Sequence, residues 1–361
     1  MNILYLSHLS GASFAGPTYS VPNQIKAQSK IDNVFWYNAV NKNIVEWKEL
    51  PCYHDLSEYP DESIYKLPKP FNQPDIIVVE QFYNMTSSRL RRELILGDIP
   101  YVIIPRGELT QQAQKRKAIK KTIANILFCY RFAHKASAIQ YLTEQEHSDS
   151  GNKWNQRAII IPNGISLPKT TKEQFCKNGI NCISIGRIEP YQKGLDILID
   201  ACNMIKEELM KSNCTIKIIG PDREGKRNGL QELVFAKGLD SSISFGDGVY
   251  GEEKEKLLLE SDVFIIPSRF EGHPMALIEA LSYGLPCVAT TGSNMRDEIT
   301  ACEAGWTCDC NPNSLSEALL RMIADYDKEI ERMSKNARRL SVDYSWDKIA
   351  EKSHSLYHCL I

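Results

Sequence analysis

The chain has 361 residues, with 43 Lys and Arg against 45 Asp and Glu, and this near-balance lacks the basic excess of a nucleic-acid binder. Apolar residues make up 43% and charged residues 24%, as in an ordinary globular protein, and no run approaches the ~20 apolar residues needed to span a bilayer. Such a length exceeds one ordinary core and points to two α/β domains of roughly 150–180 residues each.

The first apolar stretch, Ile3 to Leu6, has no basic residue ahead of it and is interrupted by His8, so it reads as a β-strand and not as a signal peptide. Short β-branched runs then alternate with longer amphipathic segments, the pattern of a parallel sheet covered by helices. Strands are expected at 3–7, 34–37, 76–79, 101–104, 138–141 and 159–161, and a long basic helix over about 111–132. Thr143 and Glu146 make a T-x-x-E capping box. Residues 42–74, rich in Pro, Tyr and charge, carry no clear period and receive no assignment. Pro162, Asn163, Gly164 and the following stretch from Ser166 to Thr171 break the pattern and mark a linker. The alternation restarts with strands at 182–185, 216–219, 243–245, 263–266 and 287–289. Ser314 and Glu317 are expected to cap a helix running to about 336, and an aromatic turn at 344–346 precedes a last amphipathic segment. The expected domains are 1–165, completed by the terminal helix 346–361, and 166–345.

Eleven cysteines do not form a disulfide scaffold, because Cys129, Cys182, Cys202, Cys214 and Cys287 stand singly in apolar runs as small hydrophobes. There is no C-x-x-C pair, so no metal site is expected, and a reducing, cytoplasmic location fits.

Ligands of open α/β sheets sit at the carboxyl ends of strands. One candidate loop, Pro267 to Glu279, follows a buried strand and opens a helix near Pro274. His273, Pro274, Met275, Ala276 and Leu277 mark the start of that helix, whose N–H groups, lacking only at the proline, form a natural anion cradle. Glu271 precedes it, and Glu279 lies in an apolar run where a carboxylate needs partners such as two ribose hydroxyls. A second loop, Gly186 to Gly194, offers Arg187 and Lys193, which can converge on one polyanion or remain solvated surface cations. In the first half, Gly16 precedes a helix without completing G-x-G-x-x-G. Arg106 and Glu108 follow another strand end, where ligand contact and a surface ion pair are both open readings. Lys115, Arg116, Lys117, Lys120 and Lys121, with Ile119, Ile123 and Phe128, make a basic amphipathic segment that suits either an anionic membrane surface or a solvated helix face.

Taken together, the Gly16 loop, P-R-G-E-L at 105–109, I-P-N-G-I at 161–165, G-R-I-E-P-Y-Q-K-G at 186–194, F-G-D-G-V at 245–249 and P-S-R-F-E-G-H-P-M-A-L-I-E-A at 267–280 resemble the retaining glycosyltransferases of family four. The resemblance implies the GT-B fold, two facing Rossmann-like parallel-sheet domains with a cleft between them. It implies an acceptor-side first domain and a donor-side second one, with the terminal helix crossing back to the first. It assigns the donor diphosphate to Arg187 and Lys193, the sugar to Glu271, the ribose to Glu279 and the base to the backbone around Val249. Ala15 stands where a paired glycine is frequent, and Arg106 stands where many members carry a histidine.

The expected activity is retaining transfer of a sugar from a nucleotide-sugar, a UDP-sugar, to a glycan or lipid-linked glycan in surface polysaccharide assembly. No cofactor and no metal are expected, since Asp325-Tyr326-Asp327 falls on an amphipathic helix as a solvated face. A non-hydrolysing nucleotide-sugar 2-epimerase and a silent sugar-nucleotide binder are the alternatives.

Overall fold

A computed structural model describes residues 1–11, 16–40, 44–83, 88–115 and 118–361. The chain divides into two compact units, residues 1–164 with 346–361, and residues 165–345.

The first unit holds a seven-stranded parallel sheet built from β1 (Asn2–Ser7), β2 (Asn33–Asn38), β3 (Tyr53–Asp55), β4 (Ile76–Glu80), β5 (Tyr101–Ile104), β6 (Ala138–Tyr141) and β7 (Ala158–Ile160). Their order is β3-β2-β1-β4-β5-β6-β7. Ile3 aligns with Val34 on one side and with Ile76 on the other. The central strands are largely apolar because both faces are covered: Leu4 and Leu6 enter one core cluster, Ile3 and Tyr5 the opposite one. Burial of each such side chain contributes about 1.5–3 kcal/mol.

The second unit repeats the plan with six parallel strands, β8 (Ile180–Ile185), β9 (Cys214–Ile219), β10 (Ile243–Gly246), β11 (Val263–Ile266), β12 (Cys287–Thr290) and β13 (Gly305–Cys308). The order β10-β9-β8-β11-β12-β13 places β8 between β9 and β11.

Two short edge strands, β3 and β13, escape the sequence pattern. The segment 44–74 is held by aromatic packing and not by a period: Trp36 meets Trp47 and Tyr53, and Phe35 stacks on His54 and touches Phe71. Thr143 accepts from the Glu146 N–H as a cap should, but the Glu146 carboxylate turns to the N–H groups of Leu142 and Gly107. The long helix begins at Pro312, two residues before the expected cap Ser314, and runs to Val342. Asn311 is its cap, accepting from the Ser314 N–H, and Pro312 occupies the first turn where no N–H is needed. The basic segment comprises Gln111–Lys115, then Ala118–Ala124, a π-helical turn Asn125–Cys129 and Tyr130–Lys135; Arg116 and Lys117 lie outside the described residues. The helix Trp346–His358 packs in the first unit, where the Tyr357 hydroxyl donates to Gln140 at 2.6 Å. Among the described residues no helix is long and apolar enough to cross a membrane.

Candidate functional site

In the second unit the chain winds outward in one direction through β8, β9 and β10 and in the other through β11, β12 and β13, so the order reverses between β8 and β11. Ligands of doubly wound sheets bind at the carboxyl edge of such a reversal. Here the loops leaving β8 and β11 enclose a cavity of about 180 Å³ whose lining includes Gly186, Arg187, Lys193, Ser268, Glu271 and His273.

The two loops are fastened to each other. Arg269 makes a bidentate pair with Asp196, both bonds at 2.7 Å, and donates to the Tyr191 carbonyl at 2.8 Å. Its backbone N–H donates to the Gln192 carbonyl, and its guanidinium lies over the Tyr191 ring. Gly194 has φ +62, and a Cβ there would stand 1.9 Å from the Pro267 carbonyl oxygen. Only glycine fits this close approach in a left-handed conformation. Gly194→Ala is expected to lose at least about 1–3 kcal/mol from backbone strain alone and to weaken ligand binding by prying the loops apart. Thermal unfolding and a nucleotide titration check this, and unchanged values in both would contradict it.

These staples bring the sequence-predicted Arg187, Lys193 and Glu271 onto one cavity, whose lining also includes the predicted His273, Pro274, Met275 and Ala276. Lys193 Nζ donates to Glu271 Oε1 at 2.6 Å, and Ser268 Oγ donates to the same oxygen at 2.5 Å. The Glu271 carbonyl accepts from Asn294 Nδ2. Arg187 is more loosely held, donating to Gln192 Oε1 at 3.2 Å. The arrangement places two cations and one carboxylate on a single small cavity, able to bind an anion and orient a hydroxylated ring beside it.

The helix Met275–Ser282 opens on this cavity with Pro274 at its cap. Its cradle is narrower than the sequence suggests. The Met275 N–H donates to the His273 carbonyl and the Leu277 N–H to the Pro274 carbonyl, and Leu277 itself is fully buried in the core. His273 places Nδ1 3.0 Å from the Met275 sulfur. A thioether only accepts, so Nδ1 carries the proton and the covered Nε2 is a bare acceptor. Burial lowers the His273 pKa from 6.5 to about 4. Between those values the unfolded chain binds a proton that the folded chain does not, so stability falls as pH drops through this window, by at most roughly 3 kcal/mol. Replacing His273 with Asn should flatten that part of the stability profile, as read by urea unfolding at pH 7.5 and pH 5. An unaltered slope would show that His273 does not supply it.

The remaining candidates sit elsewhere. Glu279 is half-buried and ion-paired with Lys254, and neither it, Leu277 nor Val249 lines the cavity. Val249 packs its side chain against the core of the second unit.

In the first unit the ion pair of Arg106 is a buried one and not a surface one. Its Nε donates to Glu80 at 2.8 Å, Nη1 to Ser20 and Asn163, and Nη2 to Gln24. The Arg106 side chain is 6% exposed and that of Glu80 0%, so the guanidinium neutralises a buried carboxylate at the end of β4. Glu108 likewise turns inward and accepts from the N–H groups of Phe82 and Tyr83; burial raises its pKa, and those bonds oppose the rise. Gly16 caps the helix Pro17–Gln28, and among the described residues a Cβ there would meet nothing within 4 Å. Residues 12–15 of that loop lie outside the described residues.

Asp325 accepts from the Trp306 indole N–H at 3.1 Å, which makes it a partly buried structural group and not a solvated one. Among the described residues no group of three His, Cys, Asp or Glu is placed to hold a metal.

Sequence reading missed Arg269, Asp196, Ser268, Asn294 and Lys254. Arg269 stands inside one recognised loop and Asp196 just past the other, but nothing local tells that residues 73 positions apart will pair.

Comparison with known proteins places this geometry. Residues 170–340 match the family described as glycosyl transferases group 1. An uncharacterized glycosyltransferase of Methanocaldococcus jannaschii is 30% identical over 175 residues, 48% of this chain and 43% of the relative. The glycosyltransferase WcaL of Salmonella typhimurium, provisionally assigned to colanic acid biosynthesis, is 27% identical over 181 residues, again 48% of this chain and 43% of the relative. The chain thus covers less than half the length of these curated relatives. The crystal structure of Anabaena HepE in complex with UDP superposes with a TM-score of 0.69 over 99% of this chain and 100% of that one, at 17% identity. The reversal between β8 and β11 and this whole-chain superposition agree on the GT-B fold, and residues 170–340 are those that match the group 1 glycosyltransferases.

Proposed function

We propose that the chain is a retaining glycosyltransferase that moves a sugar from a UDP-sugar to a glycan or lipid-linked glycan acceptor in surface polysaccharide assembly. The observation that carries this reading is the meeting of Arg187, Lys193 and Glu271 on one cavity at the carboxyl ends of β8 and β11. Arg187 and Lys193 hold the donor diphosphate and stabilise the charge that develops on it as it leaves. The start of the helix Met275–Ser282 adds its dipole to that stabilisation. Glu271 Oε1 is engaged by Lys193 and Ser268, which leaves Oε2 to accept from a sugar hydroxyl. Glu279 takes the ribose once Lys254 yields its place, and the backbone near Val249 meets the base. The acceptor belongs to the first unit.

In the transfer step the acceptor oxygen bonds to the anomeric carbon as the bond to the diphosphate oxygen breaks on the same face. The acceptor proton passes to that leaving oxygen, so no separate base is needed and no cofactor or metal is assigned. The names of the compared proteins support the substrate class: one relative is assigned to colanic acid and one structural neighbour holds UDP.

The test is incubation with a panel of UDP- and GDP-sugars, read by NMR. Release of nucleoside diphosphate with an α-linked product or α-sugar from an α-donor is the expected result. An isomerised donor would replace this reading with an epimerase, and binding without turnover would replace it with a sensor.

A further inference from the structure

Residues 109–143 contain seven Lys or Arg and no Asp or Glu, within a chain whose formal net charge is −2. The structure shows what lies between these cations. From Ala118 the chain is helical to Ala124, widens into the π-turn Asn125–Cys129 and continues as Tyr130–Lys135. Ile119, Ile123, Ile126 and Leu127 stand at helical spacings i, i+4, i+7 and i+8 and so form one stripe. Ile119 is 81% exposed, Ile126 69% and Leu127 61%, with Ile123 and Phe128 also exposed. The opposite side anchors the segment. Cys129, Phe132 and Ala133 enter the core, and buried Asn125 accepts from the Tyr83 hydroxyl at 2.8 Å and donates to Gln114.

An aliphatic face of this size is uncommon on a soluble surface and marks an interaction site. Its border selects the partner. Lys115, Lys120, Arg131 and Lys135 are exposed around it, and Arg91 lies over the Phe128 ring. The stripe sits on the outer face of a helix and its charges have one sign. That combination matches an anionic lipid interface, where aliphatic side chains enter the acyl boundary while Lys and Arg meet the headgroup phosphates.

We propose that this face of the first unit docks on an anionic bilayer. The proposal stands apart from the sugar-transfer reading and would survive its failure. The test is co-sedimentation of the full chain with vesicles of phosphatidylcholine alone or with 30% phosphatidylglycerol, at about 0.15 M and 0.5 M NaCl. Expected are at least about ten-fold stronger binding to the anionic vesicles, weakening at high salt, and a loss of about ten-fold or more in the double variant Ile123→Glu, Leu127→Glu. The variant should melt as the wild type does and release UDP from a soluble donor at the same rate. Equal binding to both vesicles, no binding, or full binding by the double variant would overturn the proposal. So would concentration-dependent dimers that the double variant abolishes, since the face would then serve a second copy of the chain.

Discussion

Replacing Lys193 with Met is expected to lower kcat for sugar transfer by about 10²–10³-fold, the usual loss when one preorganised donor to a developing anion is removed. Glu271→Gln should lose transfer as well, because a neutral amide no longer orients the sugar and no longer holds the lysine. Each single change also leaves its partner, on a mostly covered site, without an opposite charge. A loss of stability of about 1–3 kcal/mol is therefore expected of each. The double variant Lys193→Met, Glu271→Gln separates the two effects. It removes both charges together, so much of the stability should return while transfer stays lost. Steady-state kinetics and urea unfolding on the three variants check this. Activity returning with stability would mean that the pair is only a brace between the loops.

The second large effect lies in the other unit and is one of stability. Arg106→Met should cost about 3–5 kcal/mol, because it strands the fully buried Glu80 carboxylate that the guanidinium neutralises. UDP affinity should be unchanged, since the cavity proposed to bind it is lined by residues of the second unit. A co-replacement Glu80→Gln should recover part of the loss. Denaturant unfolding with a UDP titration decides the matter. A stable Arg106→Met protein with impaired turnover would return Arg106 to a ligand-binding role.

How much of this was legible in the sequence follows from what kind of force holds each part. Strands such as β4 and β11 are apolar on both faces, so Ile76–Val79 and Val263–Ile266 stand out as runs. The loops after β8 and β11 were legible because a buried strand, a polar loop and a helix start follow one another there. Other parts depend on distant partners. Segment 44–74 is held by Trp47, His54 and Phe71 packing on β2, which leaves no period to read. Glu80 ends an apolar run, and that lone acid was a readable sign that the neighbouring Arg106 would be drawn inward. Asn311-Pro312 likewise marks the true start of the long helix more strongly than Ser314 does. The apolar run around Glu279 shows that it needs a partner, but nothing points to Lys254, which alone looks like a solvated helix charge.

The account rests on the cavity between the β8 and β11 loops being the diphosphate site, and a crystal structure with UDP tests this most directly. The expected result places both phosphates at the start of the helix Met275–Ser282, with oxygens about 2.7–3.2 Å from Arg187 and Lys193. Well-ordered UDP bound elsewhere, with those two side chains unchanged, would contradict it.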